Sequence, residues 1–76
     1  MTIQQAEAQL SSQLARVYDH AEATAIANLV MEQLTGLVRS QRRMQHAVEL
    51  SAEKEASLEE MTSQLLQMRP VQYVIG

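Results

Sequence analysis

The chain has 76 residues and a mass of 8.5 kDa, which leave room for one small domain. Its formal net charge of −3 does not favour broad nucleic-acid binding. It contains no cysteine, so disulfides, thiolate nucleophiles and cysteine-ligated metal sites are excluded. Apolar residues make up 46% of the chain while glycine, proline and aromatic residues are scarce; this composition excludes a disordered chain and a many-stranded β-fold, and it predicts an all-α domain.

The first predicted helix begins after Thr2. Thr2 and Gln5 have the spacing of a capping box, in which each side chain bonds to the backbone N–H of the other residue. The apolar residues that follow recur every three or four positions and share one helical face: Ile3, Ala6, Leu10, Leu14 and Val17. This pattern predicts an amphipathic helix that ends before Asp19, where the pattern restarts.

The second predicted helix extends from about His20 to Thr35. Asp19 stands at the N-cap position with Glu22 three residues later, and Gly36 is suited to the left-handed conformation that ends many helices. The apolar stripe is wider than that of the first helix, which is typical of a helix with two or more neighbours. Its residues are Ala23, Ile26, Ala27, Leu29, Val30 and Leu34.

The segment 37–50 has the least regular pattern. We expect a short helix that is capped by Ser40 and carries Arg42 and Arg43. Its expected buried residues are Leu37, Val38, Met44, Val48 and Leu50.

The last long predicted helix follows Ser51, a good N-cap residue. Glu53 and Glu55 lie in its first turn, where the helix dipole favours negative charge. Pro70 disfavours helix for the residue before it, so we expect the helix to end near Arg69. Its apolar residues are Leu58, Met61, Leu65 and Met68, with Leu66 beside them.

The last residues, 71–76, are mostly β-branched and apolar, and they fit a short helix or a strand equally well. The predicted fold is therefore a small bundle of four helices plus a short C-terminal helical or extended element. Because free termini are usually polar, we expect the natural protein to continue beyond Gly76.

Patterns typical of catalysis or metal binding are not found. The two histidines, His20 and His46, have no metal-ligand spacing, and Glu59 and Glu60 lie opposite the apolar face of their helix. There is neither a nucleophile elbow nor a glycine-rich phosphate loop. We therefore expect no catalytic, metal-binding or cofactor-binding residue in this chain. No apolar run reaches the ~20 residues that span a bilayer and no signal peptide is visible, so we expect a cytoplasmic protein that binds no membrane.

A basic island between two acidic segments is the candidate contact surface. It contains Arg39, Arg42 and Arg43 within five residues. Arginine forms bidentate hydrogen bonds with carboxylate or phosphate and is common in protein interfaces, so the island predicts an anionic partner. The alternative is an ordinary solvated helix face. Three arginines on an acidic domain do not favour nucleic acid as the partner.

The ending of the chain resembles a known family. A leucine-containing helix is followed by a proline and then by Val-Gln-Tyr-Val-Ile-Gly, as at the end of the N-terminal domain of release factor glutamine methyltransferases of the HemK/PrmC type. The matching residues are Pro70, Gln72, Tyr73 and Gly76. The segments 22–37 and 51–53 are similar to upstream helical segments of that family. One departure concerns the position two residues before the proline, where the family often has glycine and this chain has Met68.

The resemblance implies a substrate-docking role. Enzymes of this family transfer a methyl group from S-adenosylmethionine to the glutamine of the Gly-Gly-Gln motif in class I peptide chain release factors. Their Rossmann-like catalytic domain carries a glycine-rich loop and an Asn-Pro-Pro-Tyr motif, both absent here. Residues 1–76 would thus be the helical N-terminal domain, and the catalytic domain with its S-adenosylmethionine would follow residue 76.

The expected partners are therefore a class I release factor and the chain's own methyltransferase domain. Pro70, Gln72, Tyr73 and Gly76 would lie at the junction between the two domains, and Arg39, Arg42 and Arg43 would contact the release factor. The chain itself would not be an enzyme, although the parent protein would be a protein-glutamine N5-methyltransferase. The alternative is a stand-alone helical module for protein–protein interaction or oligomerisation.

Overall fold

The structure, a computed structural model, describes residues 1–76 as five helices joined by turns. The helices are α1 (Ile3–Leu14), α2 (His20–Thr35), α3 (Arg39–Met44), α4 (Ala52–Leu66) and α5 (Val71–Val74). The long helices α1, α2 and α4 pack against one another, whereas α3 lies beside α1 and α5 lies beside α4. The predicted all-α class is confirmed, but a four-helix bundle is not, because three helices form the core and two short helices lie on it.

The N-terminal caps of the three long helices lie where the sequence predicts them. Gln5 N donates to Thr2 Oγ1 at 3.1 Å and Thr2 N donates to Gln5 Oε1 at 2.9 Å, which completes the capping box. The side chains of Asp19 and Ser51 each accept a backbone N–H three residues later, at 2.8 and 3.2 Å. Gly36 ends α2 in the left-handed conformation, with φ 72°.

Helix α3 differs from the prediction in its start. It begins at Arg39, with Val38 rather than Ser40 in the N-cap position. Val38 has no side-chain acceptor, but the side chain of Gln41 accepts the Val38 N–H at 3.0 Å. This reciprocal half of a capping box is enough to start the helix before the serine.

The core consists of eleven buried apolar side chains: Ile3, Ala6, Leu10, Leu14, Ala23, Ala27, Val30, Met31, Leu50, Leu58 and Leu65. The predicted face of α1 is confirmed except at Val17, which is 41% exposed because the helix ends at Leu14. The predicted apolar stripe of α2 was wrong at two positions. Leu29, which it included, is 42% exposed, and Met31, which it left out, is fully buried.

The burial predicted around α3 was mostly wrong. Leu50 is buried and Leu37 is half-buried, but Val38, Met44 and Val48 are 46%, 85% and 49% exposed. A helix of six residues offers the core little more than one side chain, and in α3 that side chain is Arg42.

Helix α4 ends at Leu66, earlier than predicted, and Met68 is consequently 59% exposed. The turn that follows leads to Pro70, the N-cap of α5, and the half-buried residues Val71, Val74 and Ile75 pack against the core. The structure thus shows a short helix where the sequence left helix and strand open. None of the five helices combines the length and the apolar character that crossing a membrane requires.

Candidate functional site

A groove between α1 and the segment 39–46 brings the three predicted arginines together. We call it the basic groove, and its lining residues are Ile3, Gln4, Glu7, Ala8, Ser11, Arg39, Arg42, Arg43 and His46. Each of positions 39, 42, 43 and 46 has one of the others three residues away and another four residues away, so they share one side of α3 and the turn after it. The lining contains three arginines against one glutamate, which makes the groove positive on a molecule whose net charge is −3.

The basic groove forms because the start of the chain ties down the segment after α3. Ile3 N donates to the Val48 carbonyl at 2.9 Å, and Gln4 N donates to the His46 carbonyl at 3.0 Å. These bonds satisfy two of the N–H groups that the first turn of a helix leaves without intrahelical acceptors. The same contacts hold the segment after α3 alongside the start of α1, on one side of the groove.

Arg42 forms the floor of the groove and is only 2% exposed. Its Nε donates to Glu7 Oε1 at 2.9 Å, Nη1 to the Leu37 carbonyl at 2.8 Å and Nη2 to Asn28 Oδ1 at 2.5 Å. One guanidinium therefore joins α3 to α1, to α2 and to the connection between α2 and α3. A buried charge requires this degree of pairing, since each unpaired N–H would lose its hydration without compensation.

Arg39 and Arg43 differ from Arg42 because both are exposed. Neither forms an ion pair, since the ion pairs of the chain involve only Arg42 and the α-amino group. His46 is also exposed, and its Nδ1 lies 3.1 Å from Gln4 Oε1. The partner-binding role of the three arginines stays a prediction, but the structure shows that they are not equivalent.

Sequence reasoning missed Glu7 and Asn28, the two side chains that hold Arg42. They lie 35 and 14 residues away from it along the chain. No local spacing rule connects residues at such separations. The one available signal was Asn28 itself, a polar residue next to the apolar stripe of α2.

The C-terminal residues singled out by the sequence lie outside the basic groove. Pro70 caps α5, whose aliphatic residues pack on the core, while Gln72 and Tyr73 are exposed, Tyr73 at 78%. Gly76, the last residue, has a positive φ of 93°. Helix α5 thus presents a polar and aromatic surface outward, and the interdomain role of these residues stays a prediction.

Two further features bear on the chemistry of the chain. No three His, Asp or Glu side chains lie close enough together to hold a metal ion. Hydrogen bonds to the carboxylates of Glu55 and Glu49 raise the pKa of the Met1 α-amino group above its ordinary value. These ion pairs tie the start of the chain to the first turn of α4 and to the residue Glu49 before it.

The comparison with known families gives one match. The sequence model of the PrmC N-terminal domain family matches residues 3–76, which is all of the chain except its first two residues. No curated protein and no solved structure matches the chain. The matched range includes every helix, the basic groove and the C-terminal segment from Pro70 to Gly76. The resemblance drawn from the sequence is therefore confirmed.

Proposed function

The chain belongs to the family of PrmC N-terminal domains, the N-terminal domains of release factor glutamine methyltransferases, and we propose on this basis that it is a substrate-docking domain. Its substrate is a class I peptide chain release factor, which it holds while a catalytic domain after residue 76 methylates the glutamine of the Gly-Gly-Gln motif. The observation that carries this proposal is the family match over residues 3–76. Release factors act in translation, which places the proposed reaction in the cytoplasm.

The surface of the chain supports a docking role. Arg39 and Arg43 are exposed cations without partners in the chain, and with the buried Arg42 they line one groove. Gln72 and Tyr73 form a second exposed surface, which we assign with Pro70 and Gly76 to the junction with the catalytic domain. Holding a large protein substrate in register contributes to catalysis, because positioning removes translational and rotational entropy from the chemical step.

The residues of this chain do not fit S-adenosylmethionine. The usual dinucleotide-type site requires a glycine-rich turn between a strand and a helix. Here every element of residues 1–76 is a helix and Gly36 ends α2, so these residues form no turn between a strand and a helix. In this proposal the cofactor belongs to the catalytic domain, and this chain contributes binding and orientation alone.

A comparison of two substrates tests the docking role. In the complete enzyme, removal of residues 1–76 is expected to lower kcat/KM for the intact release factor by about tenfold or more, because the docking contacts are lost. A short peptide that contains Gly-Gly-Gln serves as the control, since it is too small to reach the docking domain. Its kcat/KM should be unchanged.

The docking role would be contradicted by an unchanged kcat/KM for the release factor. An equal loss for peptide and protein would also contradict it, because residues 1–76 would then act on the catalytic domain and not through contacts with the release factor. A stop codon directly after Gly76 would remove the proposed catalytic domain itself.

A second candidate function is self-association as a stand-alone module. Large exposed apolar side chains favour it, among them Met44 at 85% and Val48 at 49% exposure. It predicts dimers or larger species at high concentration in analytical ultracentrifugation. A monomer under those conditions would contradict it.

A further inference from the structure

The exposed arginines of the basic groove, Arg39 and Arg43, form no ion pair within the chain. Arg39 and Arg43 are four residues apart on α3, so their side chains project from the same side of the helix. Like charges at this spacing destabilise a helix, and no carboxylate of the chain pairs with either of them. The only glutamate in the groove, Glu7, is already bonded to Arg42. A bound anion would relieve this repulsion.

The rest of the groove is suited to a polar anionic group. Gln4, Ser11 and His46 line it together with the two exposed arginines, and they add hydrogen-bonding groups beside the guanidinium groups. Arginine binds carboxylate and phosphate alike through paired N–H···O bonds. The choice between these two ligands therefore depends on what surrounds the groove.

The surroundings favour a protein carboxylate over a nucleic-acid phosphate. A nucleic-acid strand carries its negative charge along its whole length, and outside the groove the surface bears many exposed acids that would repel it. These are Glu22, Glu32, Glu53, Glu59 and Glu60. The groove also contains no Phe, Tyr or Trp, the large aromatic side chains on which successive bases stack, and its one aromatic ring is the imidazole of His46.

Exposed apolar residues near the groove point to the same class of partner. Val38 precedes α3, Met44 ends it and Val48 follows shortly after, and all three are exposed. Protein interfaces combine arginine with apolar side chains, methionine included, at their centres. A short acidic segment of a protein can use both features without meeting the acidic remainder of the surface.

We propose that the basic groove binds an acidic segment of the protein partner, with Arg39 and Arg43 contacting its carboxylates and the buried Arg42 forming the floor. This proposal rests on the proposed function, since it takes the release factor as the partner. It adds the chemistry by which that partner is recognised and assigns the contacts to two of the three arginines.

Charge reversal tests the contacts. Arg39→Glu with Arg43→Glu is expected to weaken the affinity of the full chain for the release factor by at least about tenfold, measured by isothermal titration calorimetry. The matched control is Arg16→Glu with Lys54→Glu, which changes the net charge equally at exposed positions outside the groove. Its affinity should stay within about twofold of the wild type, because remote exposed charges are screened.

Cross-linking identifies the chemistry of the ligand. The chain has a single lysine, Lys54, so Arg39→Lys and Arg43→Lys each introduce a reactive amine at a known place while keeping the charge. A carbodiimide joins an amine to a carboxylate only when the two are in contact. Mass spectrometry of the treated complex should show the amine introduced at position 39 or 43 joined to Asp or Glu of the release factor, and Lys54 not joined.

The outcomes separate this proposal from the proposed function. If the wild-type chain binds the release factor but charge reversal has no effect and no cross-link forms at positions 39 and 43, the groove proposal is wrong and the docking role stands. If the wild-type chain does not bind the release factor, both fail. If a short single-stranded RNA binds the wild type, fails to bind the charge-reversed variant and displaces the release factor, the groove takes phosphate and the proposal is overturned.

Discussion

Among single residues, Met68 decides how α4 ends. Its φ of 65° lies in the left-handed region, where a side chain is unfavourable and glycine is usual. The N–H of Met68 donates to the Leu65 carbonyl at 2.9 Å, and the N–H of Arg69 donates to the Gln64 carbonyl at 3.2 Å. This pair of bonds is the Schellman motif, which requires the left-handed residue. The position at which the sequence departs from the pattern that it resembles is therefore one whose backbone is strained.

Met68→Gly is expected to raise the free energy of unfolding by about 0.5–1 kcal/mol, because the left-handed penalty of roughly 1–2 kcal/mol exceeds the entropy cost of an added glycine. Met68 is 59% exposed, so little packing is lost. Urea unfolding followed by circular dichroism measures the change. The matched control is Met44→Gly, at an 85% exposed methionine with helical backbone, where a loss of about 0.5–1 kcal/mol is expected. Destabilisation by both variants would contradict the argument.

Among the elements, the start of α1 is hydrogen-bonded to the connection between α3 and α4. Ile3 N donates to the Val48 carbonyl and Leu50 N donates to the Met1 carbonyl, each at 2.9 Å. The Met1 α-amino group donates to the carboxylates of Glu55, in the first turn of α4, and of Glu49. These charged bonds raise the pKa of the amino group. These contacts hold α3 in place, although α3 has no buried apolar face of its own.

The ion pairs of the Met1 α-amino group make the free energy of unfolding depend on pH in the alkaline range. In the folded chain the pKa of the α-amino group lies above its unfolded value of about 8. The contribution of its ion pairs to the free energy of unfolding is therefore complete below about pH 8, and it is lost as the pH rises through the folded pKa. The melting temperature of the wild type should therefore fall between about pH 7 and pH 10, and that of Glu55→Gln should fall less.

Thermal unfolding followed by circular dichroism at the two pH values measures the difference between wild type and Glu55→Gln. The two proteins share every other ionisable group, so contributions from those groups cancel in the comparison. Glu59→Gln is the matched control, since Glu59 is an exposed acid one turn further along α4 and has no bond to the amino group. A Glu55→Gln protein with the pH dependence of the wild type would show that the ion pair contributes nothing.

In the whole molecule, Arg42 links α3 to the helices that form the apolar core. The core joins α1, α2 and α4, and α3 contributes no apolar side chain to it. Arg42 supplies the missing connection through Glu7 on α1 and Asn28 on α2. The basic groove therefore depends on a buried polar contact, and the two exposed arginines take their positions from the third.

Arg42→Ala is expected to lower the free energy of unfolding by about 2–4 kcal/mol, because Glu7, Asn28 and the Leu37 carbonyl each lose a donor. Glu7 is 35% exposed and regains water, which keeps the effect below that of a fully buried ion pair. Urea unfolding measures it. Arg43→Ala, at an exposed arginine of the same groove, should change stability by less than about 0.5 kcal/mol. Equal effects of the two variants would contradict the role given to Arg42.

The sequence by itself determined the features that depend on neighbours within about four residues. Capping residues such as Asp19 and Ser51, the left-handed Gly36 and the buried face of α1 were all predicted, since helix starts, helix ends and apolar spacing are local. The family was also readable from the C-terminal motif. Some local predictions failed: the start of α3, where Gln41 rather than Ser40 supplies the capping contact, the width of the α2 stripe, the burial of Val17 and the end of α4.

Only the tertiary structure decided which charged and apolar side chains are buried around α3. By spacing and charge, Arg39, Arg42 and Arg43 are alike, yet one of them is buried and two are exposed. The difference comes from partners 35 and 14 residues away, which no local rule can pair with Arg42. Burial of a guanidinium is favourable only where several acceptors converge on it. That convergence exists once α1, α2 and α3 have packed, so it is a property of the fold.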